Sequence, residues 1–153
     1  MHKLPIYLAT DHAGFTLKET IKDYLLAEGY DVKDLGAYDD TMSDYPDFII
    51  PAAEAVAASN DTALGIVFGG SGIGECIAAN KVVGARAAEA YDLYTAKKSR
   101  EHNDANVLCL GGRTITKSPA LAKKIVKAWL TTSFSKEDRY VRRIKKVSYY
   151  ETH

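Results

Sequence analysis

Leu64-Gly65-Ile66-Val67-Phe68-Gly69-Gly70-Ser71-Gly72-Ile73-Gly74-Glu75 is the stretch whose reading decides the fold. Leu64 to Phe68 is a continuous apolar run of strand length, the pattern of a strand buried on both faces in a parallel sheet. A run of glycines breaks it, and Ile73 to Lys81 reads as a helix. Strand, glycine turn and helix in direct succession make half of a βαβ unit, and the rest of the chain can be read outward from it.

Toward the N-terminus, Ile6 to Ala9 reads as a strand. Leu17, Ile21, Tyr24 and Leu25 recur at helical spacing, with Gly29 as the stop. Thr16 and Glu19 have the spacing of a capping box at that helix start, and Asp31 to Leu35 reads as a second strand. Pro46 to Ala58 is a helix. Toward the C-terminus come a strand at Ala85 to Ala88, a helix at Tyr91 to Glu101 and a strand at Val107 to Leu110. Ser118 and Pro119 are placed as cap and first residue of a helix reaching Leu130, and a last helix covers about 135–150. Strands joined by helices of this length predict an α/β fold: a Rossmann-like three-layer αβα sandwich around a five-stranded parallel sheet with right-handed crossovers.

At 153 residues the chain fits one domain spanning 1–153, with no linker, repeat or low-complexity segment. Twenty basic and twenty acidic side chains balance, which argues against nucleic acid as a partner. The apolar runs are too short to cross a membrane, and the N-terminal run stops at Asp11 without a cleavage-site pattern, so a cytoplasmic location is expected. Cys76 and Cys109 have neither disulfide-framework nor zinc-ligand spacing.

Ligands of parallel sheets gather at the carboxyl ends of the strands. There the sequence places Asp11 and His12, then Gly69 to Glu75, then Gly111, Gly112 and Arg113. The glycine loop offers backbone N–H groups and a helix start to an anion. A dinucleotide fingerprint fits poorly, because the pattern is G-x-G-x-G and Glu75 follows, where a carboxylate would repel a pyrophosphate. Glu89, at the end of the next strand, is what keeps that reading open, as a ribose ligand. No Gly-Lys-Ser/Thr follows, which removes the P-loop. The alternative uses the carboxylate: amides stabilise an oxyanion while Glu75 abstracts a proton from the adjacent carbon. The plain alternative for Glu75 is a first-turn acid interacting with the helix dipole.

Four motifs, in order and on the expected strand ends, resemble one family. Asp11-His12-Ala13-Gly14, Gly69 to Glu75, Ala78-Ala79-Asn80-Lys81 and Ser99-Arg100-Glu101-His102-Asn103 are similar to those of the ribose/galactose-6-phosphate isomerases, a group that includes the ribose-5-phosphate isomerases of type B. The resemblance runs nearly end to end. It implies aldose–ketose isomerisation of a sugar phosphate through an enediolate, with neither metal nor redox cofactor. The base would be Glu75, in the subgroup that carries glutamate here; the other subgroup has a cysteine at the position of Gly69. His102 resembles the ring-opening acid and Asn103 a ligand of a sugar hydroxyl, although a histidine at a helix C-terminus also suits the dipole. Asp11 and His12 would meet sugar hydroxyls or the ring, and Gly70, Ser71, Gly72, Ile73 and Gly74 would line the substrate; Asp11 and Ser71 are equally fit to cap helices. Arg113, Arg139 and Arg143 match the phosphate clamp, the last two four apart on one face of the C-terminal helix. Some relatives have histidine where this chain has Tyr140.

The resemblance also implies a homodimer, or a tetramer built from it, with active sites shared between subunits and the C-terminal helix contributing to clamp and dimer. The alternatives are an isomerase of a six-carbon sugar phosphate, such as galactose or allose 6-phosphate, and a non-catalytic nucleotide or sugar-phosphate binder. Cys76, beside Glu75, is either a reactive thiol or a small hydrophobe, its side chain set about 100° around the helix from the carboxylate. Cys109, inside a strand, is expected to serve packing.

Overall fold

The strands Ile6–Thr10 (β1), Val32–Asp34 (β2), Leu64–Gly69 (β3), Ala87–Glu89 (β4) and Val107–Gly111 (β5) pair in the order β2-β1-β3-β5-β4, every pair parallel. This arrangement comes from a computed structural model that describes residues 3–153. Six helices connect and flank the strands: Phe15–Ala27 (α1), Pro46–Ala58 (α2), Ile73–Ala79 (α3), Leu93–Asn103 (α4), Pro119–Thr131 (α5) and Asp138–Thr152 (α6). The Rossmann-like three-layer architecture expected from the sequence is therefore the one observed.

The central strands are buried on both sides, so their side chains feed two cores. Ile6, Leu8, Ile66, Phe68, Leu108 and Leu110 face α1, α4 and α5, packing on Ile21, Leu25, Ala96, Ile125 and Trp129. Ala9, Val67, Val107 and Cys109 face α2 and α3, packing on Ile49, Ala53, Val56 and Ala79. Strand order reverses direction at the β1/β3 boundary, the place where such sheets open a crevice beyond their carboxyl ends.

Several element ends differ from expectation for local reasons. The Thr16/Glu19 capping box does not form, because α1 starts two residues earlier, at Phe15 behind the N-cap Gly14. Asp11 caps instead, its Oδ1 accepting from the N–H groups of Ala13 (2.9 Å) and Gly14 (3.2 Å) in a short 3-10 turn at His12–Gly14. α4 begins and ends two residues later than expected. Asp92 forms a true capping box with Thr95, and Asp104 in the left-handed region ends the helix, so His102 and Asn103 lie in its last turn rather than beyond it. Lys136, at φ +58°, delays α6 to Asp138.

One buried charge ties the layers together. Lys18, fully buried on α1, donates to both carboxylate oxygens of Asp34 (2.7 and 2.9 Å) and to the carbonyl of Ala37 (2.7 Å). It fixes α1 to the end of β2 and to the loop that leads into α2. Burial alone would raise the Asp34 carboxyl, but hydrogen bonds from Lys18, the Gly36 amide and Lys22 prevail and hold it below the usual range. A carboxyl depressed in the folded state contributes stability above its unfolded value of about 4 and loses it as pH falls. Lys18→Met is expected to cost about 2 kcal/mol in chemical denaturation at pH 7, because the partly exposed Asp34 carboxylate loses two charge-assisted bonds and keeps only Lys22 and the Gly36 amide. The loss should shrink as the pH falls from about 4 through the depressed folded value of Asp34, below which the carboxyl is protonated in both states.

Candidate active site

β1, β3 and β5 end level with one another: Thr10 pairs with Phe68, and Gly69 with Gly111. Three chain segments therefore leave the sheet side by side. The third is locked to the second by two backbone bonds, Gly112 N–H to Gly69 O (2.7 Å) and Arg113 N–H to Gly70 O (2.8 Å). Arg113 is thereby aimed over the glycine loop. Together the segments enclose a cleft of about 490 Å³ lined by Asp11, His12, Ala13, Tyr45, Gly70, Ser71, Gly74, Glu75, Arg113 and Thr114.

Glu75 sits in the first turn of α3, 3% exposed. Its carboxylate bends back over the end of β3: a Cβ built on Gly69 would lie 1.8 Å from Oε1. The carboxylate thus fills the volume that any side chain at 69 would need, and only glycine admits it. Burial raises the Glu75 carboxyl first, the amides of Glu75 itself and Gly72 oppose this, and the charges of Asp11 and Glu89 add to the rise. The net is a carboxyl held above the ordinary range. Ser71 does not cap α3 as an N-cap residue; Gly72 holds that place, and the Ser71 hydroxyl accepts from Ile73 N–H at 3.2 Å.

His12 is held by the loop before α2. Its N–H donates to Ser43 Oγ and its Nδ1 accepts from Ser43 N–H, both at 3.2 Å. Tyr45 follows, its ring lying over Gly74 at the cleft wall. The sequence reading missed Tyr45 and Thr114, and nothing local to residue 45 signals contact with a loop near residue 74.

Of the residues expected at the site, Asp11, His12, Gly70, Ser71, Gly74, Glu75 and Arg113 line this cleft. Gly72 and Ile73 do not: Gly72 forms the turn behind it, and the Ile73 side chain is 57% exposed. Glu89 does not reach the cleft as a ribose ligand would; it lies beneath Gly72. His102, Asn103, Arg139 and Arg143 gather elsewhere. α4 begins after the carboxyl end of β4 and runs back to the start of β5, so its last turn lies at the opposite end of the sheet from Glu75. There His102 stacks on Tyr140, ring centroids 4.2 Å apart and planes 15° from parallel. The guanidinium of Arg139 lies 4.6 Å, and that of Arg143 5.8 Å, from the same tyrosine ring. Tyr140 is the buried plate on which three cationic or ionisable side chains are arranged.

Residues 6–147 match the profile of a family described as ribose/galactose isomerase. The chain belongs to the ribose/galactose isomerase family. As a member of that family it is an isomerase. Its similarity is spread over the whole length: ribose-5-phosphate isomerase B of Mycolicibacterium paratuberculosis is 50% identical over 147 residues, covering 95% of this chain and 91% of the relative. D-erythrulose-4-phosphate isomerase of Pectobacterium atrosepticum is 41% identical over 150 residues, covering 97% and 95%. Among solved structures, ribose-5-phosphate isomerase B of Mycoplasma genitalium with bound ribulose-5-phosphate superposes with a TM-score of 0.93 at 41% identity, covering 99% of both chains.

The raised carboxyl of Glu75 has a measurable consequence for this isomerase. A group whose folded value lies above its unfolded one stabilises fully below the unfolded value, about 4.3, and loses that contribution as pH rises through the folded value. Glu75→Gln removes this loss. It is expected to be more stable than the wild-type protein at pH 8, on the order of 1 kcal/mol, with the gain vanishing near pH 4. Urea denaturation at the two pH values measures the difference.

Proposed function

We propose that this isomerase interconverts ribose 5-phosphate and ribulose 5-phosphate, with Glu75 as the base. The observation that carries the reading is a buried carboxyl of raised proton affinity in the first turn of α3, sharing a cleft with the glycine-loop backbone and Arg113. Proton transfer between adjacent carbons needs a base with a pKa near the working pH and donors aimed at the oxygen that gains charge. Glu75 removes the C2 proton of the open-chain aldose, giving an enediolate stabilised by the loop amides near Gly70 and Ser71. Return of the proton to C1, with the O2 proton passing to O1, gives the ketose. Asp11 and His12 hold sugar hydroxyls.

The remaining groups come from a second copy of the chain. His102 and Glu75 lie at opposite ends of one sheet, so ring opening by His102 and deprotonation by Glu75 on one substrate require two subunits. In this arrangement His102 of the partner subunit opens the ring, Asn103 of the partner subunit binds a hydroxyl, and Arg139 and Arg143 of the partner subunit join Arg113 around the phosphate. An apolar surface to support the dimer is present: Ile77 and Val83 on one side and Val147 on α6 are each more than half exposed. Asn103, Val83 and Val147 also line one groove of about 620 Å³. The chain acts as a single domain, in the cytoplasm, on a freely diffusing sugar phosphate.

Purified protein given ribose 5-phosphate in the presence of chelator should form ribulose 5-phosphate, and Glu75→Gln should lose about 10³-fold in kcat. Full activity in that variant, with loss in Cys76→Ala instead, would remove Glu75 from its role. Because relatives act on sugar phosphates of other lengths, the same preparation should be offered four-, five- and six-carbon substrates, with the highest kcat/KM expected for five carbons. Shared sites have their own test. Glu75→Gln and His102→Ala proteins, each inactive, should regain part of the activity when unfolded together and refolded as a mixture, and no regain would place each site within one chain.

A further inference from the structure

Glu89 is a carboxylate that the mechanism above does not use. It ends β4 and pairs in register with Cys109 of β5. Laterally paired residues of a parallel sheet share a face, so Glu89 faces the layer that α3 covers, as Cys109 does. Its Oε1 would lie 3.2 Å from a Cβ on Gly72, which adopts φ +86° and is the turn residue immediately ahead of α3. One glycine thus separates Glu89 from the first turn that carries Glu75. Among the described residues no lysine or arginine pairs with Glu89; the nearby Arg86 turns instead to Asp61 and Asp104.

We propose that Glu89 is a positioning residue for the base: its carboxylate, lodged beneath Gly72 on the face that α3 covers, acts on the first turn of α3 and contributes to the lower pH limit of turnover. This rests on the assignment of Glu75 as base. The Glu89 charge repels that of Glu75, a smaller contribution than burial or Asp11 to the rise of the Glu75 carboxyl. Burial raises the Glu89 carboxyl as well, so both carboxyls resist ionisation. The other titratable groups facing Glu75 are Asp11 and His12 after β1, Tyr45 at the start of α2, Cys76 on α3 itself, Cys109 on β5 and Arg113 beyond β5. Asp11 acts in the same sense as Glu89, and Arg113 in the opposite one. Cys109 is a buried thiol pushed well up by burial and by its Cys76 neighbour, and therefore adds no charge. Asp11 keeps its charge while capping the His12–Gly14 turn and acts on Glu75 more strongly than Glu89, so Glu89 adds to a field that Asp11 leads.

The test is the pH dependence of kcat/KM for ribose 5-phosphate in Glu89→Gln and Glu89→Leu, alongside ¹³C titration of the Glu75 carboxyl. Removing the charge should move the acid limb, and the Glu75 titration with it, toward lower pH. KM should stay in place, and Glu89→Asp, which keeps the charge, should restore the limb. A limb and a titration that stay put or move upward in both neutral variants would overturn the role of Glu89. Failure of the underlying base assignment is separable, because it appears as wild-type turnover in Glu75→Gln.

Discussion

The level ends of β1, β3 and β5 are the constraint from which the site follows. Because three adjacent parallel strands stop in register, an aspartate–histidine turn, a glycine loop and an arginine emerge within one small space although about 100 residues separate the first from the last. The loops add only fine adjustment. Two backbone bonds tie the Arg113 segment to the glycine loop, Ser43 grips His12, and the buried Lys18–Asp34 pair fixes the loop that carries Ser43 and Tyr45. Rigid strands thus provide the placement, as positioned binding groups require.

Much of this was legible in the sequence where a single physical signal dominates. β3 and β5 are apolar throughout because both faces are buried, and α2 and α5 announce their starts with proline at the first turn, so these elements lie where the pattern puts them. Short edge strands are harder. β2 and β4 are three residues long and half-exposed, and their limits depend on partners such as Asn106, whose side chain takes the Arg86 N–H. The α1 cap was misread because the capping residue, Asp11, acts on an intervening 3-10 turn that has no signature of its own. Lys18 could not be anticipated as a core residue, since composition places lysine at the surface and only the approach of Asp34 allows it inside.

The candidate site divides in the same way. Residues on the strand ends were found because topology sends ligands there. The cluster on Tyr140 could be named only through family resemblance, and its location at the far end of α4 depends on the direction in which that helix runs. Tyr45 and Glu89 illustrate the remainder: each matters through a contact across the fold, with a glycine at the point of contact, and a glycine in sequence does not reveal what fills the space it leaves.

The space left by Gly69 ties two positions of the chain to each other. A carboxylate from residue 75 and a side chain on residue 69 compete for the same volume, so any residue larger than glycine at 69 displaces the carboxylate from its seat over the end of β3. Six residues apart in sequence, the two positions form one steric unit, and neither can be enlarged without the other giving way.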